Sequence, residues 1–175
     1  MTFDAKIGIL IGVDENRIKN MADTGGRRNE DPLTDEQKRQ VVDYAVSLGM
    51  SEENIVFSET AITGYIGGIV DMLRVGTDVL PLASKSKYPN DNITLRGVIA
   101  HEIVGHRGAD LKGRSFQKRE ERYLDEAQAS IRAAKFAPGL SDKERIVLLR
   151  DGIMRLKDVG KTLREVRALL YIDER

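Results

Sequence analysis

The apolar positions of this chain change period near residue 90. Before that point short apolar runs are broken by glycine and turn residues, and after it apolar residues recur every three or four positions. KIGILIGV, residues 6–13, predicts a strand, and residues 22–32, which include Gly25, Gly26 and several charges, predict a loop. One helix interrupts this half. Thr34 with Gln37 three positions later forms a capping box, Val41, Val42, Tyr44, Ala45 and Leu48 make its apolar stripe, and Gly49 stands where a helix stops. Residues 54–58 and 69–75 predict two further strands.

Beyond residue 90 the period is helical throughout. A helix is expected from about Asn92 through His106, and another over 116–135, ended by Pro138 and Gly139. Ser141 with Glu144 and Thr162 with Glu165 are capping boxes for two more, with stripes Ile146, Leu149, Ile153, Leu156 and then Val166, Leu169, Leu170. The predicted class is α+β in a single domain spanning 1–175, with residues 1–90 mostly strand and loop and 91–175 helical.

Composition narrows the function classes. With 28 basic and 28 acidic residues the chain lacks the field of a nucleic-acid or anionic-membrane binder, so neither partner is expected. No apolar run approaches the roughly 18–20 residues that span a bilayer. The start, MTFDAKIGIL, has no secretory signal pattern, so the expected location is the cytoplasm, or export by a signal-independent route as an effector domain. At 175 residues a core forms without disulfide or metal staples, so any metal is expected to be functional.

Chemistry concentrates in HEIVGH, residues 101–106, which holds both histidines of the chain. The related H-E-x-x-H pattern places two imidazoles one turn apart on a zinc ion. Here the second histidine is one residue late: on an α-helix His101 and His106 diverge by about 140°, against about 40° for residues four apart. A π-bulge between them restores the smaller angle, and Gly105 eases such a distortion. His101 and His106 are therefore expected to bind zinc, with Glu102 as general base on the water that zinc activates. A third ligand has no histidine or cysteine to draw on. Asp125 and Glu126 lie on the helix that follows; Glu126 gives a His2Glu ligand set, and Asp125 is placed to hydrogen-bond a ligand histidine.

HEIVGH matches the H-E-x-x-G-H signature of the dipeptidyl peptidase III type of zinc peptidase, which pairs with a downstream E-E-x-x-A-E segment. Residues 125–130, DEAQAS, resemble that segment, with Glu126 on the ligand position and departures at Asp125 and Ser130. More of the chain, roughly 70–155, is similar to the small zincin-like metallopeptidase domains at the ends of bacterial polymorphic toxins. The resemblance implies a zincin-like fold and a zinc peptidase acting on a peptide or protein. It also implies that the strand before the metal helix, residues 71–76, lies at a sheet edge and pairs with substrate; the plain alternative is a core strand with Leu73 and Val75 inward.

The expected activity is thus zinc-dependent peptide hydrolysis. Tyr65, Tyr88, Tyr123 and Arg107 are the residue types available as an oxyanion donor. Two rivals are a zinc hydrolase of non-peptide amides and an inactive zincin-like binding module. Residues 6–19 carry glycines after apolar residues but lack the glycine spacing of a dinucleotide site and the lysine of a phosphate loop, so nucleotide binding is not expected of them.

Overall fold

The computed structural model describes residues 29–59, 62–84 and 86–175. The expected strand at 6–13 and most of the loop at 22–32 lie outside them. Helix α1, Asp35–Ser47, begins at the Thr34 capping box: Gln37 N–H donates to the Thr34 hydroxyl at 3.2 Å, and Thr34 N–H donates to Gln37 Oε1 at 2.9 Å. Val41, Tyr44 and Ala45 are its buried face.

Strands β1 (Ile55–Phe57), β2 (Gly64–Ile66) and β3 (Met72–Val75) form one sheet in the order β1-β3-β2. β3 pairs parallel with β1 (Leu73 opposite Ile55) and antiparallel with β2 (Leu73 opposite Tyr65). The expectation of an edge strand at 71–76 is therefore corrected: with a neighbour on each side β3 is central, and Leu73 and Val75 are fully buried. β2, too short to carry a readable period, is the edge strand that faces the motif helix.

Helix α2 is a composite of an α-helical stretch Leu95–Ala100, a π-helical stretch His101–Arg107 and a closing turn Gly108–Asp110. It starts three residues later than the expected Asn92, because the Thr94 side chain caps it by accepting from Gly97 N–H. Helices α3 (Arg122–Phe136), α4 (Asp142–Asp158) and α5 (Leu163–Val166) follow, the last two opened by the expected capping boxes. α3 is the centre of the helical half, packed between the π-helical stretch and α4. One apolar core joins α1, β3, α2 and the end of α3 through residues such as Val41, Leu73, Ile99 and Ala133; a second joins α3 to α4 and α5 through Leu124, Ile131, Leu156 and Val166.

The expected stripe of α4 is corrected too. Ile146, Leu149 and Ile153 are 47%, 37% and 50% exposed, and of the expected four only Leu156 is buried; the inward face is Leu148, Asp151, Gly152 and Leu156. Gly152 explains the rotation. A Cβ there would lie 2.9 Å from Ile131 Cγ1 and 3.1 Å from the Ala127 carbonyl oxygen, so α4 turns the residue without a side chain onto α3. Likewise Leu169, expected on the stripe after Thr162, is exposed, while Val166 and Leu170 are buried. No helix among the described residues is long and apolar enough to cross a membrane.

Candidate metal centre

In a π-helix each N–H bonds five residues back, which brings residues five apart onto one face. Gly108 N–H bonds to the Ile103 carbonyl in this pattern, within a seven-residue π-helical stretch inside the α-helix, which is the expected π-bulge between the two histidines. His101 and His106 consequently turn the same way, with their Nε2 atoms 3.1 Å apart. Two neighbours stabilise the widened turn. Arg132 Nε donates to the Val104 carbonyl at 3.2 Å, and Gly105 seats against α3, where a Cβ would lie 2.6 Å from the Ala129 carbonyl oxygen. Gly105 thus serves helix contact, a role that the sequence pattern alone did not suggest.

Glu126 on α3 completes the group: its Oε2 lies 3.3 Å from His101 Nε2 and 3.9 Å from His106 Nε2. Bond lengths of about 2.0–2.2 Å to a tetrahedral ion separate neighbouring ligand atoms by roughly 3.2–3.6 Å, so the three atoms stand close to three corners of such a site. His101, His106 and Glu126 form a group that can hold a metal ion. The donor chemistry agrees. His106 Nδ1 lies 3.0 Å from Asp125 Oδ2, a contact that assigns the Nδ1 position a proton, so that the neutral ring presents the Nε2 lone pair toward His101 and Glu126. Asp125 is itself fixed by Phe116 N–H, which donates to its Oδ1 at 3.1 Å.

Charge explains what balances the cluster without a metal. Burial lowers the proton affinity of His106, but the Asp125 hydrogen bond and the carboxylates of Glu102 and Glu126 outweigh it and push its pKa up to about 9. Burial also opposes ionisation of Glu126, yet Arg155 and the two histidines hold its carboxyl well below the usual range. Arg155 Nη1 sits 3.1 Å from Glu126 Oε2, and its own pKa is raised, against burial, by Glu126 and Asp151. The space between the two Nε2 atoms and Glu126 therefore favours positive charge, which a bound cation or a proton on His106 supplies.

Glu102 is buried at 7% exposure, and Tyr65 N–H on edge strand β2 donates to its Oε2 at 2.8 Å. A second tie holds the same strand. Arg107 pairs with Asp71 through Nε at 2.7 Å and Nη2 at 2.9 Å, and the Tyr65 hydroxyl donates to Asp71 at 3.1 Å. Burial and the Asp71 carboxylate raise the Tyr65 pKa strongly. Asp71 adopts φ +41°, a left-handed conformation that this pair of contacts sustains. Of the expected oxyanion donors, Tyr65 and Arg107 are thus engaged by Asp71, whereas Tyr88 and Tyr123 line a cavity of about 310 Å³ that Glu126 and Arg155 border.

The structure brings His101, His106, Glu126 and Asp125 together, with Glu102 one residue along the same helix. Asp71, Arg132, Asp151 and Arg155 escaped sequence reasoning. Asp151 and Arg155, four apart on one helix, carry a faint signal of shared face, but such pairs are ordinary on solvated helices. A scan against protein-family models, a search of curated proteins and a search of solved structures return no match to this chain.

Proposed function

We propose that the chain is a zincin-like, zinc-dependent peptidase, in which His101, His106 and Glu126 hold the ion and Glu102 is the general base. The observation that carries this reading is the π-helical turn that directs both histidines of HEIVGH toward Glu126 at ligand–ligand spacing. The His2Glu set and the resemblance of HEIVGH and DEAQAS to peptidase motifs favour zinc among the metals such ligands take. Zinc bound there supplies a Lewis acid for the scissile carbonyl and lowers the pKa of water to about 7.

The chain's own groups do the rest. Tyr65 N–H holds Glu102 Oε2, and Oε1 has no hydrogen-bond partner among the described residues, which leaves it to take a proton from the attacking water. The same carboxylic acid returns the proton to the departing amine. The cavity walled by Tyr88, Tyr123, Met154 and Val159 abuts Glu126 and has room for a side chain of a bound peptide. Peptide or protein substrates fit this arrangement, and the likeness to toxin metallopeptidase domains favours an effector role.

The test is Glu102→Gln. Hydrolysis of a peptide library by the zinc-loaded protein is expected, and the variant is expected to lose it by at least about 100-fold while retaining its metal. Full activity in the metal-loaded variant excludes Glu102 as the base.

A further inference from the structure

We propose that Asp151 is the carboxylate partner of His101, acting through the Ser130 hydroxyl, and that Arg155 ties this relay to Glu126. A helix that supplies no ligand thereby orients two of the three. The role rests on the metal-site reading above, although its geometry does not.

His101 Nδ1 lies 3.0 Å from Ser130 Oγ, at a completely buried position. A hydroxyl has one proton to give, and Ser130 gives it to Asp151 Oδ2 at 2.6 Å. Toward His101, then, Ser130 accepts. His101 must donate from Nδ1, so that in the neutral ring it is Nε2 that carries the lone pair, toward His106 and Glu126. The hydroxyl inverts nothing: it passes the acceptor character of Asp151 on to the imidazole, as a carboxylate touching the ring would do directly.

Asp151 Oδ2 also accepts from Arg155 Nε at 2.7 Å, and Arg155 Nη1 reaches Glu126 Oε2 at 3.1 Å. The path from His101 through Ser130, Asp151 and Arg155 to Glu126 thus crosses three helices. Two sequence features permit it. Glu126 and Ser130 are four apart on α3, as Asp151 and Arg155 are on α4, so each pair shares a face. Gly152, beside Asp151, lets the α4 backbone approach α3 closely enough for the short Ser130 side chain to reach the carboxylate. Ser130 stands where the resembled segment ends in glutamate.

The test uses the full-length chain, ¹⁵N-labelled at histidine, without metal and with added zinc. In the metal-free native protein the His101 ring is expected to carry its proton on Nδ1; a proton on Nε2 alone overturns the relay with no variant needed. Asp151→Asn and, separately, Ser130→Ala are expected to mix the His101 tautomers. Both are expected to weaken zinc binding by about 10–100-fold in competition with a chelator. The exchange of Ser130→Asp with Asp151→Ser, which puts the carboxylate next to the ring, is expected to recover part of that affinity. A role confined to packing lowers thermal stability in folded variants but leaves the tautomer and the zinc affinity within about twofold of native, and that result also overturns the proposal. Should the native chain refuse zinc, the metal-site reading fails, while the tautomer measurement still decides the relay.

Discussion

Gly105 and Ala129 meet with no room for a side chain: a Cβ on Gly105 would lie 2.6 Å from the Ala129 carbonyl oxygen and 2.7 Å from its Cα. This contact sets how closely the helix bearing His101 and His106 approaches the helix bearing Glu126. Gly105→Ala forces backbone apart from backbone, and the overpacking is expected to cost about 1–3 kcal/mol despite the better helix propensity of alanine. Because the ligands lie on opposite sides of the seam, zinc affinity is expected to fall with it. Thermal unfolding with and without zinc checks both effects.

The Asp71–Arg107 pair makes a separate prediction. It clamps the β2–β3 turn to the end of the π-helical stretch, next to the strand whose Tyr65 N–H fixes Glu102. Asp71→Ala is expected to reduce peptide hydrolysis about 10-fold or more through loss of Glu102 orientation, since small displacements of a catalytic group are costly. Metal content is expected to stay at the native level. Loss of metal along with activity indicates instead that the clamp supports the histidines.

The titration of His106 has a defined sign. Its pKa in the folded, metal-free protein, about 9, exceeds the unfolded value of about 6.5. The stabilisation it contributes is therefore complete below about pH 6.5 and lost as pH rises through about 9, an effect on the order of 3 kcal/mol. Glu126 runs the opposite way: its contribution is present above the unfolded carboxylate pKa and lost as pH falls through its depressed folded value. A metal ion bound through His106 Nε2 would have to displace the proton of that ring. Calorimetry at pH 7 in buffers of different ionisation enthalpy is expected to show release of about one proton per metal bound, declining above about pH 9.

Met154 and Val159 wall the cavity beside Glu126 and take no part in the ligand network. Met154→Trp fills that space. It is expected to reduce turnover of peptides with large residues beside the cleaved bond more than that of peptides with small ones, at unchanged zinc content. A uniform response across a peptide library argues that the cavity does not receive substrate.

The legible parts of the sequence were those governed by local chemistry. Thr34 with Gln37, Ser141 with Glu144 and Thr162 with Glu165 cap helices because a side chain and an N–H three residues apart need no tertiary partner. His101, His106 and Glu126 were legible through residue type and spacing. The face of α4 was not, because Gly152 packs inward while Ile146 and Ile153 remain exposed, and hydrophobic periodicity carries no record of backbone contact. β2 was missed for its length, and the central place of β3 followed from that omission. Asp151 and Arg155 were missed because charged residues four apart read as a solvated face until a neighbouring helix buries them.

A single metal centre formed by HEIVGH and Glu126 has a direct readout in the metal content per chain. Elemental analysis is made on protein purified without chelator or a metal-binding tag, beside Glu126→Ala prepared identically. About one zinc per native chain, lost or greatly reduced in the variant, is the predicted result for a three-ligand site. A native chain that carries no zinc and takes up none when it is added contradicts the account.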